Sequence, residues 1–164
     1  MDLATSTLTQ FSQWPMDWAL LGIFAALLAL ESFSSGSTRT SAISLAFPIA
    51  FVITGWLPAT FGTNVLAEHI STPYLQASLF TIVLIGIYVV IHRMIYSFGS
   101  AGGSVVNSIL HGLSTALIIM VFWIQTPGLK DLWVFSPQIQ LIFGEAYRAW
   151  WLAGSFAALA YTRG

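Results

Sequence analysis

The sequence predicts an all-α fold: a polytopic membrane helical bundle of four transmembrane helices, followed by a C-terminal interfacial or re-entrant helical segment. Three observations predict it. First, the stretches 14–33, 41–61, 74–91 and 104–124 are apolar and nearly free of charge, and each is about 18–21 residues long. That is the length an α-helix needs to cross a hydrocarbon core of ~30 Å. Second, 57% of the residues are hydrophobic and only 7% charged, with a mean hydropathy of +0.82. A water-covered domain carries about 25% charged residues. Third, the chain holds seven Trp and five Tyr, rings that favour the headgroup level of a bilayer.

The 164 residues suffice for one compact helical domain. They divide into an exposed N-terminal arm (1–13), a four-helix transmembrane domain (14–126) and a C-terminal membrane-associated segment (127–164). The arm is rich in Ser, Thr and Gln and holds no Lys or Arg. A secretory signal needs a positive region before its apolar core, so the first span is expected to stay attached. No cysteine is present, which excludes disulfides, thiolate catalysis, Cys-based metal sites and Cys lipidation.

Each element has its own signals. Pro15 suits a first helical turn, and Asp17 just inside it complements the positive end of the helix dipole. Glu31 closes the first span, and a loop with Gly36 as breaker and Arg39 as its charge follows. The second span contains Pro48, which frees one carbonyl and favours a kink. Pro58 and Gly62 mark its exit. The connection that follows carries Glu68 and His69, expected in a solvated outer loop. Thr72 and Pro73 read as cap and first helical position of the third span, which ends at His92 and Arg93. Gly99, Gly102 and Gly103 then break the chain before the fourth span, which stops at Thr126-Pro127-Gly128.

Beyond it, Ser136-Pro137 starts another helix. Residues 138–148 mix apolar with polar side chains, a pattern suited to the interface. Residues 149–161 are apolar but short. They form a fifth crossing only if joined to the preceding turns, which carries Glu145 and Arg148 into the membrane at ~2.5–3.5 kcal/mol each, with the three-residue spacing letting the two pair. Both the interfacial or re-entrant arrangement and a fifth span are open to the sequence.

Orientation follows from two arginines. Arg39 and Arg93 fall on one side of a four-span topology, and positive residues favour the cytoplasm. Asp17, Glu68 and Asp131 fall on the other side, with Lys130. This places the N-terminus outside, and the two arginines as candidate lipid-headgroup or partner contacts. A net charge of −1 gives no basic face for nucleic acid; the expected partners are the bilayer and a second copy or other membrane proteins.

The fourth span carries the two patterns closest to function. Ser100, Ser104, Ser108, Gly112 and Ala116 recur every four residues, a small-residue stripe that lets another backbone approach closely. It serves helix packing within the chain, a homo-oligomer interface or a pore lining. Beside it Gly103, Asn107, His111 and Thr115 share a face. Those polar groups need partners inside a bundle, and the alternatives are interhelical hydrogen bonding or a polar path through His111, which titrates near neutral pH in its ordinary state. His69, His92 and His111 lack the i, i+4 spacing of metal ligands. No G-x-S-x-G turn, H-E-x-x-H, P-loop or dinucleotide fingerprint occurs. No enzymatic activity and no cofactor are expected.

The layout resembles the colicin V production family of small bacterial inner-membrane proteins. The residues that carry the likeness are Asp17 opening the first span, the Gly36…Arg39 turn about twenty residues later, Arg93 ending the third span, Ser104…Ser108…Gly112 in the fourth, and the Trp-containing segment 132–143. It covers about residues 15–145. The family's turn has the form G-x-R-G, where this chain has Thr40 after Arg39, and its fourth span often carries Arg where this chain has His111. The resemblance implies a four-span inner-membrane protein linked to bacteriocin export and envelope maintenance, without established catalysis. A small oligomeric channel or transporter with its polar path along the fourth helix, and a membrane subunit of a larger complex, are the rival expectations.

Overall fold

The computed structural model describes residues 16–61, 72–96 and 104–162; the arm at 1–13, Glu68 and His69 lie outside them. Among the described residues the chain forms helices and no strand. They are α1 (Met16–Ser35), α2 (Ser37–Phe61), α3 (Pro73–Tyr96), α4 (Val105–Gln125), α5 (Pro127–Leu132), α6 (Pro137–Phe143) and α7 (Arg148–Tyr161). The first four are long and apolar enough to cross a membrane. This is a membrane protein built as an all-α bundle.

Helix ends extend past the apolar windows. α2 starts at Ser37 and α3 runs on to Tyr96, because Ser, Thr, His and Arg lower hydropathy without breaking a helix. α1 and α2 are joined by Gly36 alone, at φ 79°, a left-handed conformation open to glycine at little cost. α2 continues through Pro48 as one helix. α3 begins at Pro73, where the Leu75 and Gln76 amides reach the Thr72 carbonyl at 3.1 Å.

α4 is the central element. It packs on α1, α2 and α7, while α3 packs on α2 and α5. The core is assembled from Leu28 of α1, Phe47 and Ala50 of α2, Phe80 of α3, Ile118, Ile119 and Phe122 of α4 and Leu159 of α7. Phe47 meets Phe80 with ring centres 5.7 Å apart, and Phe51 meets Phe122 at 5.3 Å. Lipid tails are as apolar as these side chains, so close fit and hydrogen bonding hold the helices together rather than exclusion of water. The fully buried Ala42, Ala46 and Ala50 on α2 keep its side-chain layer thin.

The C-terminal segment is a helix, a turn and a second helix. α7 has 14 residues, about 21 Å of helix, which falls short of the ~30 Å core. α6 and α7 are separated by the turn at 144–147, so Glu145 and Arg148 are not on one continuous helix. α7 folds back antiparallel to α4: Arg148 Nη1 donates to Gln125 Oε1 at 3.3 Å at one end, and Thr162 reaches His111 at the other. The Trp151 indole ties α7 to α6 by donating to the Ile142 carbonyl at 2.8 Å.

Candidate functional site

The polar face of α4 is turned inward against the first turns of α2 and the last turn of α7. His111 is 1% exposed. Its Nε2 lies 2.9 Å from Ser41 Oγ, and its Nδ1 lies 3.1 Å from Thr162 Oγ1. Thr162 already gives its single hydroxyl proton to the Leu159 carbonyl at 3.0 Å. In that arrangement its oxygen accepts from His111 Nδ1–H, and a neutral imidazole then accepts the Ser41 proton at Nε2.

One turn along, Thr115 Oγ1 and Ser44 Oγ are 2.8 Å apart across the same α2–α4 seam. Thr115 also faces the His111 carbonyl at 2.9 Å, and Ser44 the Thr40 carbonyl at 2.8 Å. Two hydroxyl protons serve three contacts, so one donates across the seam while the other bonds back within its own helix. Ser41, Ser44, His111 and Thr115 are all buried.

The small residues of α4 lie beside this row. Gly112 abuts α1 so closely that a Cβ on it would come within 3.0 Å of the Ala29 backbone. Ser108 and Ala116 are buried, and Ser104 caps the helix, its Oγ accepting from Asn107 N–H at 3.3 Å. Ser100 and Gly103 lie outside the described residues. The Asn107 side chain is half-buried one turn before His111. Of the sequence face Asn107–His111–Thr115, His111 and Thr115 therefore sit at the seam with α2, and Gly112 sits at the seam with α1.

The charged residues occupy the ends. Arg39 Nη1 pairs with Glu31 Oε1 at 3.1 Å across the Gly36 turn, both partly exposed. Arg93 is exposed at the end of α3. Asp17, at the start of α1, accepts the Ser136 backbone N–H at 2.6 Å, anchoring the link into α6.

Sequence reasoning missed four partners: Ser41 and Ser44 on α2, Thr162 at the C-terminal cap of α7, and Ala29 under Gly112. A signal for the first two was present. Ser37, Ser41 and Ser44 recur at helical spacing on the first turns of α2, so they form a polar stripe that needs a polar counterpart. No comparable signal marked Thr162 or Ala29, whose roles depend on how the helices cross.

A serine hydroxyl on an imidazole is the spacing of a nucleophile and its base. Here both groups are buried, and three cavities among the described residues, of about 570, 360 and 220 Å³, are lined by other side chains. Among the described residues no three His, Asp or Glu side chains gather to hold a metal ion. No family model, curated protein or solved structure matches the chain.

Proposed function

We propose that this chain is a non-enzymatic multi-pass protein of the bacterial inner membrane, with its N-terminus outside, that supports an envelope or export process as the likeness to colicin V production proteins implies. The observation that carries this reading is the inward use of the α4 polar face. His111 and Thr115 are hydrogen-bonded to Ser41, Ser44 and Thr162 of the same chain. What faces outward is apolar: Ile23, Leu27 and Leu30 on α1, and Ile82, Ile85 and Val89 on α3. Such a molecule offers stiff greasy faces to lipid and to neighbouring membrane proteins, including its own copies.

Cysteines placed at Arg39, Glu68 and Gly164, in a chain naturally free of thiols, test the orientation. Arg39→Cys should be shielded from an impermeant maleimide in intact bacterial cells, and Glu68→Cys should react. Loss of the gene should sensitise the host envelope to detergent or reduce peptide export; a host unaffected in both argues against the role. Labelling of Ser41 by a fluorophosphonate would overturn the non-enzymatic part. The buried polar row also supports the rival channel reading, for which proton flux in liposomes must be lost in His111→Ala.

A further inference from the structure

α4, α6 and α7 wall an open groove of about 570 Å³. Its floor and sides are mainly apolar, with Leu113 and Leu117 from α4, Leu141 and Ile142 from α6 and Trp151 from α7, beside Ser114 and Ser155. Along α7 it runs from Tyr147 to Ala158, about 16 Å at 1.5 Å per residue. That is one half of a ~30 Å hydrocarbon core, the depth of a single leaflet. Tyr147 and Trp150 are largely exposed at the end where α7 begins, as rings at the headgroup level are.

The same end holds two charges of opposite sign. Glu145 and Arg148 are both exposed, and among the described residues the ion pair of Arg39 with Glu31 is the one within bonding range. Arg148 uses one guanidinium N–H on the neutral Gln125 side chain, which leaves further donors in its fork. A groove one leaflet deep, whose lining residue Tyr147 stands in sequence between an exposed anion and an exposed cation that do not pair with each other, complements an amphiphile that carries both charges.

We propose that this groove binds one acyl chain of a phosphatidylethanolamine-type lipid, with the phosphate on Arg148 and the primary ammonium on Glu145. Arg suits a phosphate because it presents two parallel N–H donors. An ammonium suits Glu145 because it brings N–H donors that a quaternary choline head lacks. The groove is also open for blocking. Gly154 lines it, and a Cβ added there meets nothing within 4 Å, so Gly154→Phe starts from free space and carries its ring into the groove. Gly22 on α1 has equally free surroundings and lines none of the cavities described above, which makes Gly22→Phe the control.

The test uses the full chain in detergent micelles. Phosphatidylethanolamine, phosphatidylcholine and phosphatidylglycerol with identical acyl chains are added, and bound lipid is read by native mass spectrometry and by the thermal midpoint. The expected result is one retained phosphatidylethanolamine per chain and a raised midpoint, with weaker retention of the other two. Gly154→Phe should abolish retention while Gly22→Phe keeps it. Arg148→Gln and Glu145→Gln should each weaken phosphatidylethanolamine about tenfold, the scale of one charge-assisted hydrogen bond. Glu145→Gln should leave phosphatidylglycerol no weaker. Equal retention of all three lipids, or retention that survives Gly154→Phe, overturns the proposal. Both surface variants lie outside the packed core, so the headgroup arm stands even if Gly154→Phe folds poorly.

Discussion

His111 Nε2 and Ser41 Oγ stand 2.9 Å apart although 70 residues separate them in the chain. The bond joins α4 to α2 with both residues buried, where an unmatched hydroxyl or imidazole is costly.

This bond is measurable as a coupling. His111→Ala and Ser41→Ala should each destabilise the protein, and the double variant should cost less than their sum. Interhelical hydrogen bonds in membranes give coupling energies of about 0.6 kcal/mol, reaching ~1.7 kcal/mol. Reversible unfolding in mixed micelles provides the four numbers. A coupling of zero would mean that the pair contributes nothing to stability.

Gly112 and Gly22 predict opposite behaviour for one chemical change. Gly112→Leu drives a side chain into the Ala29 backbone, whereas Gly22→Leu meets open space. Overpacking against a rigid neighbour costs about 1–3 kcal/mol or more, and a surface change away from such features stays within about 0.5 kcal/mol. Thermal midpoints in detergent should separate the two. Equal midpoints would contradict the α1–α4 contact.

The Gly36 turn allows a graded test. At φ 79° an alanine pays about 1–2 kcal/mol for the left-handed conformation, and asparagine less. The expected stability order is Gly36, then Gly36→Asn, then Gly36→Ala. Arg39 and Glu31 flank the turn in a partly exposed pair, so Glu31→Gln should change stability by less than about 1 kcal/mol.

Asp17 and Ser136 hold the start of α1 to the link before α6. Asp17→Ala removes a charge-assisted bond to a backbone amide, about 1.5–3 kcal/mol. The effect should be local: faster hydrogen exchange at the Ser136 amide, with the amides of α4 unchanged. Exchange that rises equally in both places would show that Asp17 supports the whole bundle.

The four spans were legible because each is a run of apolar residues whose length matches the bilayer, a property of local sequence. The α4 stripe was legible for the same reason, since a four-residue period assigns residues to a face without knowledge of what the face meets. The C-terminal segment was ambiguous because its apolar length lies between a full crossing and none. What the sequence did not contain is the turn at 144–147 and the path of α7 along α4. Arg39 illustrates the limit in another way. By sequence it was a candidate lipid-headgroup or partner contact; the structure adds that it pairs with Glu31, because Gly36 folds two helix ends together.

The sequence by itself determined the solvent this chain requires, the number of long helices and the faces on which their small and polar residues fall. Each of these follows from composition and helical period alone. The tertiary structure decided which seam each face occupies: His111 against Ser41 and Thr162, Gly112 against Ala29, and α7 turned back beside α4. The physical reason is that lipid does not favour one apolar face over another. Helix pairing in a membrane is settled by close backbone approach and by the pairing of polar groups distant in sequence, and neither is written in any single segment.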